Sequence, residues 1–448
     1  MTQYTLHTSW LFDPKVKQVR QNVSITVDSA TGLITRVFER DDERQPFSDI
    51  IKEGDIDLRG SLYCLDWLTH TRMFSCILTS ECLIASLTLS LILIQTHSER
   101  GALQQKRDES MTERTVRGVN HCRTALLAGY TTYRDLGSEG MQECDANLRD
   151  AIARGLTPGP RLFVATKVIS STGSYECRTE NSGGGHCLPA GADAVDGVEQ
   201  CRQAVRRRVA AGADIIKFFA DYRRRIMRSP PEQQHPYIPS VLHPPKEPNP
   251  DYMVFSQEEM NTIVSEAAMA RCPVSAHCCT REGASAAIEA GVNTLEHAYY
   301  LTDEMLKRMA EKAIILVPTL SIAEKLHSHR FDDILRQVKR AHELGVRIAC
   351  GGDTGTFPHG ENVRELELMI KAGIPIADVL ESCTVGGWEA CGGDLCGRQF
   401  GWFEEDLQAD IIALDEDPMH SPNALRSVNF VMKDAKVWKS GGEQCGMV

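Results

Sequence analysis

The chain has 448 residues, of which 42% are hydrophobic, enough to bury a large core spread over two or three domains. Its 61 acidic and 49 basic residues give a net charge of −12, which argues against nucleic acid as a partner. The 16 cysteines are scattered, and the N-terminus lacks the charged and apolar regions of a signal peptide. We therefore expect reduced thiols, a cytoplasmic location and no membrane partner.

Short alternating runs of hydrophobic residues at the two ends of the chain predict two groups of β-strands. Residues 1–63 contain YTLHTSWLF, NVSITVD and GLITRVFE, separated by turn signals such as DSATG. Residues 403–448 show the same pattern in ADIIALDEDP and SVNFVMKDAKVWKSG. Each group is typical of a small antiparallel sheet.

Residues 73–94 form a nearly continuous apolar run that differs from both groups. The run, MFSCILTSECLIASLTLSLILI, is long enough to span a bilayer, although Glu81 interrupts it. Three interpretations compete: a transmembrane helix, a helix peculiar to this protein, and a segment foreign to the fold, such as translated intron sequence. We favour the last.

Between the terminal groups, strand-like and helix-like segments alternate at the spacing of βα units. Helical periodicity is clear in GVEQCRQAVRRRVAAG and in SQEEMNTIVSEAAMARC, where Ser256 and Glu259 have the spacing of a capping box. Eight segments are strand candidates: 61–68, 130–135, 161–168, 213–219, 272–277, 293–297, 314–319 and 346–352.

The segment 229–251 contains eight prolines and follows the fourth predicted strand. Its composition predicts a semi-rigid loop rather than a helix. A surface insertion and a wall of a substrate pocket are both compatible with this position.

Four candidate metal ligands each stand where a predicted strand ends. Residues from the ends of several strands converge only when the strands are parallel and share one open end. Imidazole and carboxylate groups are metal donors, whereas a lysine in an apolar strand is unusual because a free ammonium is costly to bury. The four are Lys217 in ADIIKFF, His277 in PVSAHC, His297 in NTLEHA and Asp353 in VRIACGGD.

These residues lie in segments that resemble the amidohydrolase superfamily, in particular its amidase, dipeptidase and imidazolonepropionase-like branch. The resemblance implies a (β/α)8 barrel over residues 64–402, beside a small β-sandwich that residues 1–63 and 403–448 form jointly. It provides no place for residues 73–94, which we expect to lie outside the barrel wall. The matching segments are LLAGYTTYRDLG at 126–137, GADIIKF at 212–218, SAHC at 275–278, AGVNTLEHA at 290–298, GGDTGTFPHG at 351–360 and ADIIALDEDP at 409–418.

The resemblance also implies a metal-dependent hydrolase that cleaves amide, dipeptide-like or cyclic amide bonds with metal-activated water. One or two divalent ions are expected, with zinc favoured, and Lys217 would be carboxylated to a carbamate. Asp353 would also act as general base. The implied ligands are His70, Lys217, His277, His297 and Asp353.

The expected partner is a small-molecule substrate, and a homo-oligomer is compatible with the sequence. Three residues are candidates for contacting the substrate. His359 follows Asp353 by six residues, and Tyr222 and Arg223 follow Lys217 in DYRRRIMR. An arginine would suit a substrate with a free carboxylate, which it can bind through two hydrogen bonds.

The sequence departs from the resembling family at the first predicted strand, which in that family ends in a His-x-His pair. In LTHTRMF, His70 occupies the first position, Arg72 the second, and Leu68 replaces an aspartate. A guanidinium offers no lone pair to a metal. The alternative function is therefore a catalytically impaired barrel, either a binding or structural protein or the product of a mis-spliced gene.

We expect the unmodified chain to bind nearer one ion than two and to hydrolyse weakly or not at all. Arg72 removes a ligand from the first metal position and adds a positive charge there. Replacing Arg72 with histidine should raise the metal content of the purified protein, measured by elemental analysis. Two tightly held ions with full turnover in the unmodified chain would contradict this expectation, and His97 in QTHSER is the first candidate for a replacement ligand.

Overall fold

Helices and strands alternate along most of the chain in the computed structural model, so the protein has an α/β fold. The structure describes residues 2–41, 50–59, 82–85, 87–91, 108–174, 190–224, 233–234, 242–243, 250–355 and 357–446.

The strands are numbered in chain order. The first twelve are β1 (Gln3–Asp13), β2 (Gln18–Asp28), β3 (Leu33–Glu39), β4 (Ile56–Asp57), β5 (Cys82–Ala85), β6 (Leu87–Leu91), β7 (Tyr130–Asp135), β8 (Arg161–Val164), β9 (Val168–Ser170), β10 (Ala192–Ala194), β11 (Ile216–Phe219) and β12 (Asp221–Arg223). The others are β13 (Gln233–Gln234), β14 (Leu242–His243), β15 (Asp251–Met253), β16 (Val274–Cys278), β17 (Thr294–His297), β18 (Ile315–Val317), β19 (Gly351–Thr354), β20 (Ile411–Leu414), β21 (Val428–Lys433), β22 (Lys436–Ser440) and β23 (Glu443–Gln444).

The α-helices lie between strands, mostly in the second half of the chain. They are α1 (Met111–Leu127), α2 (Cys144–Ala153), α3 (Val198–Ala210), α4 (Gln257–Met269), α5 (Arg281–Ala290), α6 (Asp303–Glu311), α7 (Leu320–Leu326), α8 (Phe331–Glu343), α9 (Val363–Ala372), α10 (Ile376–Cys383) and α11 (Val385–Ala390).

Strands from the two ends of the chain share one nine-stranded sheet. Its order is β23-β22-β21-β20-β5-β1-β2-β3, with β4 paired to β1. The pairs β1–β2, β2–β3 and β20–β21 are antiparallel, as the alternating sequence patterns predict. The division into a joint β-sandwich and a barrel domain, with its bounds at 63 and 402, stays a prediction.

Two further sheets are entirely parallel. One has the order β10-β9-β11-β16-β17-β18 and the other β19-β6-β7-β8. Backbone hydrogen bonds join β8 to the segment before β11, and β18 to the segment before β19. Asp214 N donates to Val164 O at 2.8 Å, just before β11, and Ala349 N donates to Leu316 O at 3.0 Å, just before β19.

The structure corrects the expectation that residues 73–94 lie outside the central fold. Residues Leu87–Leu91 form β6, a parallel strand between β7 and β19. Residues Cys82–Ala85 form β5 and join the terminal sheet. An apolar run suits a strand covered on both faces as well as a membrane helix, so periodicity alone could not separate the two.

The strand candidate at 61–68 lies outside the described residues, as does most of the proline-rich segment 229–251. Among the helices that the structure describes, none combines the length and the apolar character needed to cross a membrane. The helix predicted after Ser256 is α4. Ser256 caps it by accepting a hydrogen bond from Glu259 N, and the Glu259 carboxylate accepts one from Ser256 N at 2.7 Å.

Side chains alternate along the parallel strands and so separate an apolar side from a polar one. Phe218, Ala276 and Leu295, on three neighbouring strands, are fully buried in a hydrophobic cluster that includes residues of α3, α4 and α5. The alternate positions carry polar side chains instead, among them Lys217 and Ser275, which pair in register. Lys217, the first in chain order of the four strand-end candidates, therefore lies on the polar side of these strands.

Candidate metal and active site

The four candidates come from parallel strands of both sheets: β11, β16 and β17 are neighbours in one sheet, and β19 is an edge strand of the other. Lys217 lies in β11, His277 in β16, His297 at the end of β17 and Asp353 in β19. The rings of His277 and His297 are 4.6 Å apart between centroids. Lys217 and Asp353 are close enough for each to shift the pKa of the other. The structure thus brings together all four.

The backbone is unusual at two of these positions. His297 has φ +67° and Asp353 has φ +56°, in the left-handed region that side-chain-bearing residues seldom adopt. Regular alternation would place His297, which is in register with the buried Cys278, on the apolar side of the sheet. The change in φ at His297 accompanies its approach to His277. Such conformations cost about 1–3 kcal/mol each and are concentrated at functional sites.

Burial keeps both imidazoles neutral. Burial, with a smaller contribution from Lys217, lowers the pKa of His297 to about 3, and burial takes the pKa of His277 well below its ordinary value. Nδ1 of His297 is 2.7 Å from Thr319 Oγ1. Neutral imidazole is the form that binds metal ions.

A polar network lies directly behind Lys217. Its Nζ donates to Ser275 Oγ at 3.3 Å, and Ser275 Oγ donates to Glu296 Oε1 at 2.8 Å. The same carboxylate pairs with Arg134 at 2.9 Å and accepts a hydrogen bond from Thr294. Burial would raise the pKa of Glu296, but Arg134 and Lys217 lower it to about 2.

Two pKa shifts in this network bear on reactivity. Burial lowers the pKa of Lys217 to about 8, although Glu296 opposes the change. Burial also raises the pKa of Asp353 to about 7; Lys217 lowers it, and Glu139 and Glu296 raise it. Close to neutral pH, a lysine can therefore lose its proton and an aspartate can exchange one, as a general base must.

A second group of possible donors adjoins His277. One ligand atom from each of Asp221, His277 and Cys279 lies within 4.8 Å of the other two. The Cys279 sulfur is 3.4 Å from His277 Nε2. Asp221 accepts hydrogen bonds from Cys279 N, Thr280 N and Thr280 Oγ1 at 2.7–2.8 Å, so it holds the turn that carries the thiol.

Two of the three predicted substrate residues also lie near His277. The Tyr222 ring is 5.8 Å from the His277 ring, and the exposed Arg223 is close enough to lower the pKa of His277. His359 instead stacks on His121 of α1, with ring centroids 3.9 Å apart. His70 and Arg72 lie outside the described residues.

Sequence reasoning did not identify Arg134, Glu296 or Thr319 as part of this site. Arg134 and Glu296 are charged residues inside otherwise buried strands, in YTTYRD and TLEH. A charge in a buried strand was the available signal, since such residues are almost never fully buried unless paired. Thr319 carried no comparable signal.

Both the sequence and the fold of this chain are similar to those of known proteins. Residues 69–442 match the model of the Amidohydrolase family. Ochratoxinase from Aspergillus niger is 30% identical over 360 residues, which cover 72% of this chain and 68% of the relative. A solved structure of a Xaa-Pro dipeptidase with bound methionine is 25% identical, with a TM-score of 0.76 over 98% of this chain and 100% of that one. The A. niger ochratoxinase structure has 23% identity and a TM-score of 0.76, covering 100% of this chain and 98% of its own.

The raised pKa of Asp353 predicts how the stability of the metal-free protein depends on pH. Its folded-state pKa of about 7 lies above the ordinary value of 3.8, so between these values the folded chain holds more protons than the unfolded one. The free energy of unfolding should fall as pH rises through this window. Asp353→Asn should remove that component in urea denaturation series at pH about 5 and about 7. An unchanged slope in the variant would contradict the assignment.

Proposed function

Because the chain belongs to the amidohydrolase family, and is therefore a hydrolase of carbon–nitrogen bonds, we propose that it is a metal-dependent enzyme with water as the nucleophile. The substrate class we propose is amide, dipeptide-like or cyclic amide compounds. The single observation that carries the proposal is that two neutral histidines, with ring centroids 4.6 Å apart, lie close to a buried lysine and a partly buried aspartate on parallel strands.

We propose that the two parallel sheets close into one eight-stranded barrel. The closing strands would be β6, β7, β8, β11, β16, β17, β18 and β19. The hydrogen bonds that join Asp214 to Val164 and Ala349 to Leu316 support this closure, because they connect the edge strand β8 to the segment before β11, and the segment before the edge strand β19 to the edge strand β18. In such a barrel the carboxyl ends of the strands form the active-site face.

The donor set fits a divalent cation, for which we favour zinc. His277 and His297 supply neutral nitrogen donors, and Asp353 supplies oxygen. Lys217 would bind after its neutral amine has attacked carbon dioxide, forming an N–C bond and releasing one proton to give a carbamate. Its lowered pKa supports this step, because only the unprotonated amine is nucleophilic. When bound, the metal polarises the scissile carbonyl and lowers the pKa of water.

Individual residues of the chain would then have separate roles in hydrolysis. Asp353 accepts a proton from the attacking water and delivers it to the leaving amine, a role that a pKa of about 7 suits. Tyr222 and Arg223 would contact the substrate beside His277, with Arg223 pairing with a substrate carboxylate. His359 packs on α1, so its proposed role is to steady the loop that follows Asp353.

The placement of β6 bears on the incomplete histidine pair. Ligands in parallel sheets come from the carboxyl ends of strands, and the segment after Leu91 contains His97, whereas His70 precedes β6 in the chain. We therefore keep His97 as the first candidate for the missing ligand. Separate alanine variants of His70 and His97, compared for zinc content, distinguish the two histidines.

Lys217 provides the most direct test of the proposed function. Purified unmodified protein should contain zinc, nearer one ion than two per chain, and should hydrolyse weakly some members of a panel of N-acyl amino acids and dipeptides. Lys217→Arg should lose most of both, because arginine stays charged and cannot be carboxylated. Lys307→Arg, at an exposed position of α6, is the matched control and should retain both.

Two outcomes would count against the proposal. Full metal content in Lys217→Arg would exclude the lysine as a ligand. Complete absence of metal and turnover in the unmodified chain would favour the impaired barrel that Arg72 suggests.

A further inference from the structure

Glu365 is a buried carboxylate, outside the set of proposed ligands, that holds the turn after β18. It lies in α9 and is fully buried. Its oxygens accept hydrogen bonds from Leu320 N at 2.8 Å, Ser321 N at 2.7 Å and Ser321 Oγ at 2.8 Å. All three donors belong to the start of α7, so one side chain fixes the path of the chain immediately after Thr319.

Thr319 occupies a conformation that needs such support. Its φ is +49°, in the left-handed region, and its side chain is β-branched. A conformation of this kind costs about 1–3 kcal/mol and persists only where the surroundings impose it. The hydrogen bonds that Glu365 accepts from the next two residues, Leu320 and Ser321, are positioned to impose it.

The Thr319 hydroxyl in turn contacts His297, the last residue of β17, and Tyr299, two residues beyond it. Its Oγ1 is 2.7 Å from His297 Nδ1 and 2.7 Å from the Tyr299 hydroxyl, which also donates to Thr319 O at 3.2 Å. If the tyrosine donates to the carbonyl, the threonine donates to the tyrosine oxygen. Thr319 Oγ1 then accepts from His297 Nδ1–H, which leaves the Nε2 lone pair for a metal.

We propose that Glu365 is a positioning residue which, through Thr319, fixes the tautomer and ring orientation of His297. The proposal rests on the function proposed above, because it takes His297 as a metal ligand. Hydrogen-bond partners of ligating histidines raise ligand basicity and hold the ring in place. Here the influence of Glu365 would extend from α9, through the turn at Thr319, to His297 at the end of β17.

The experiment compares zinc affinity in four variants by competition with a chelator. Thr319→Val keeps the side-chain shape and removes the hydroxyl, and Glu365→Gln replaces an acceptor oxygen with a donor. Both should weaken zinc binding by about 10- to 100-fold. Thr319→Ser keeps the hydroxyl and should stay close to the unmodified protein. Glu367→Gln, in the same helix but paired with Arg364 and Arg426, should also leave the affinity unchanged.

A second measurement reads the tautomer without metal. In chelated protein with 15N-labelled histidine, NMR should show His297 protonated on Nδ1, assigned by loss of its signals in His297→Gln. Thr319→Val should shift this population toward the other tautomer. This readout separates positioning from a purely structural role, which would lower thermal stability and leave the tautomer unchanged.

The outcomes distinguish failure of this inference from failure of the proposed function. Zinc binding by the unmodified chain that Thr319→Val and Glu365→Gln do not weaken would overturn the inference and leave the function standing. A His297 proton on Nε2 would also overturn it. If the unmodified chain binds no zinc, the proposed function fails, and the NMR result alone then decides whether Thr319 sets the tautomer.

Discussion

The ion pair between Arg134 and Glu296 is the interaction on which the candidate site depends. Both side chains are 2% exposed, and their charged atoms are 2.9 Å apart. A buried pair is costly to desolvate unless additional hydrogen bonds satisfy its remaining atoms. Ser275 and Thr294 donate hydrogen bonds to Glu296, and Arg134 donates hydrogen bonds to Thr294 Oγ1 and to the Ala390 carbonyl. The buried layer behind the site therefore contains two opposite charges that neutralise each other.

The pairing of Glu296 with Arg134 affects the pKa of Lys217. Glu296 is shared with Arg134, so it only partly offsets the burial of the lysine, and the pKa of Lys217 falls to about 8. Carboxylation of such a lysine would change its charge from positive to negative. The histidines are neutral, so that change would supply a negative ligand for a cation beside His277 and His297. The electrostatics favour a metal only once the lysine has lost its positive charge.

The sequence predicted those parts of the molecule in which a polar residue ends an apolar run. The four strand-end candidates stand out for this reason, and the strand predicted at 130–135 has the bounds of β7. The chain also belongs to the predicted family. The prediction for residues 87–91 was wrong for two reasons. The first strand was placed at 61–68 because His70 follows that segment, and an apolar run of the length of 73–94 also fits a membrane helix.

The supporting contacts could not be predicted in the same way. Arg134 and Glu296 are 162 residues apart in the chain, and Glu365 lies 45 residues from the Leu320 amide that it binds. Nothing in a single sequence pairs residues at such separations. The left-handed backbone at Thr319 is equally hidden, since a β-branched residue does not favour it. These features follow from the tertiary structure and account for the orientation of the ligands.

The central claim is that Lys217, His277, His297 and Asp353 surround one metal centre. Anomalous diffraction at the zinc edge, from crystals of the full chain grown with zinc, tests it most directly. The account predicts a peak about 2.0–2.1 Å from one nitrogen of each histidine, as expected for zinc–imidazole bonds. Density for the carbamate should extend from Lys217 Nζ toward that peak. A peak held by Asp221 and Cys279 and distant from His297, or no peak at all, would contradict the account.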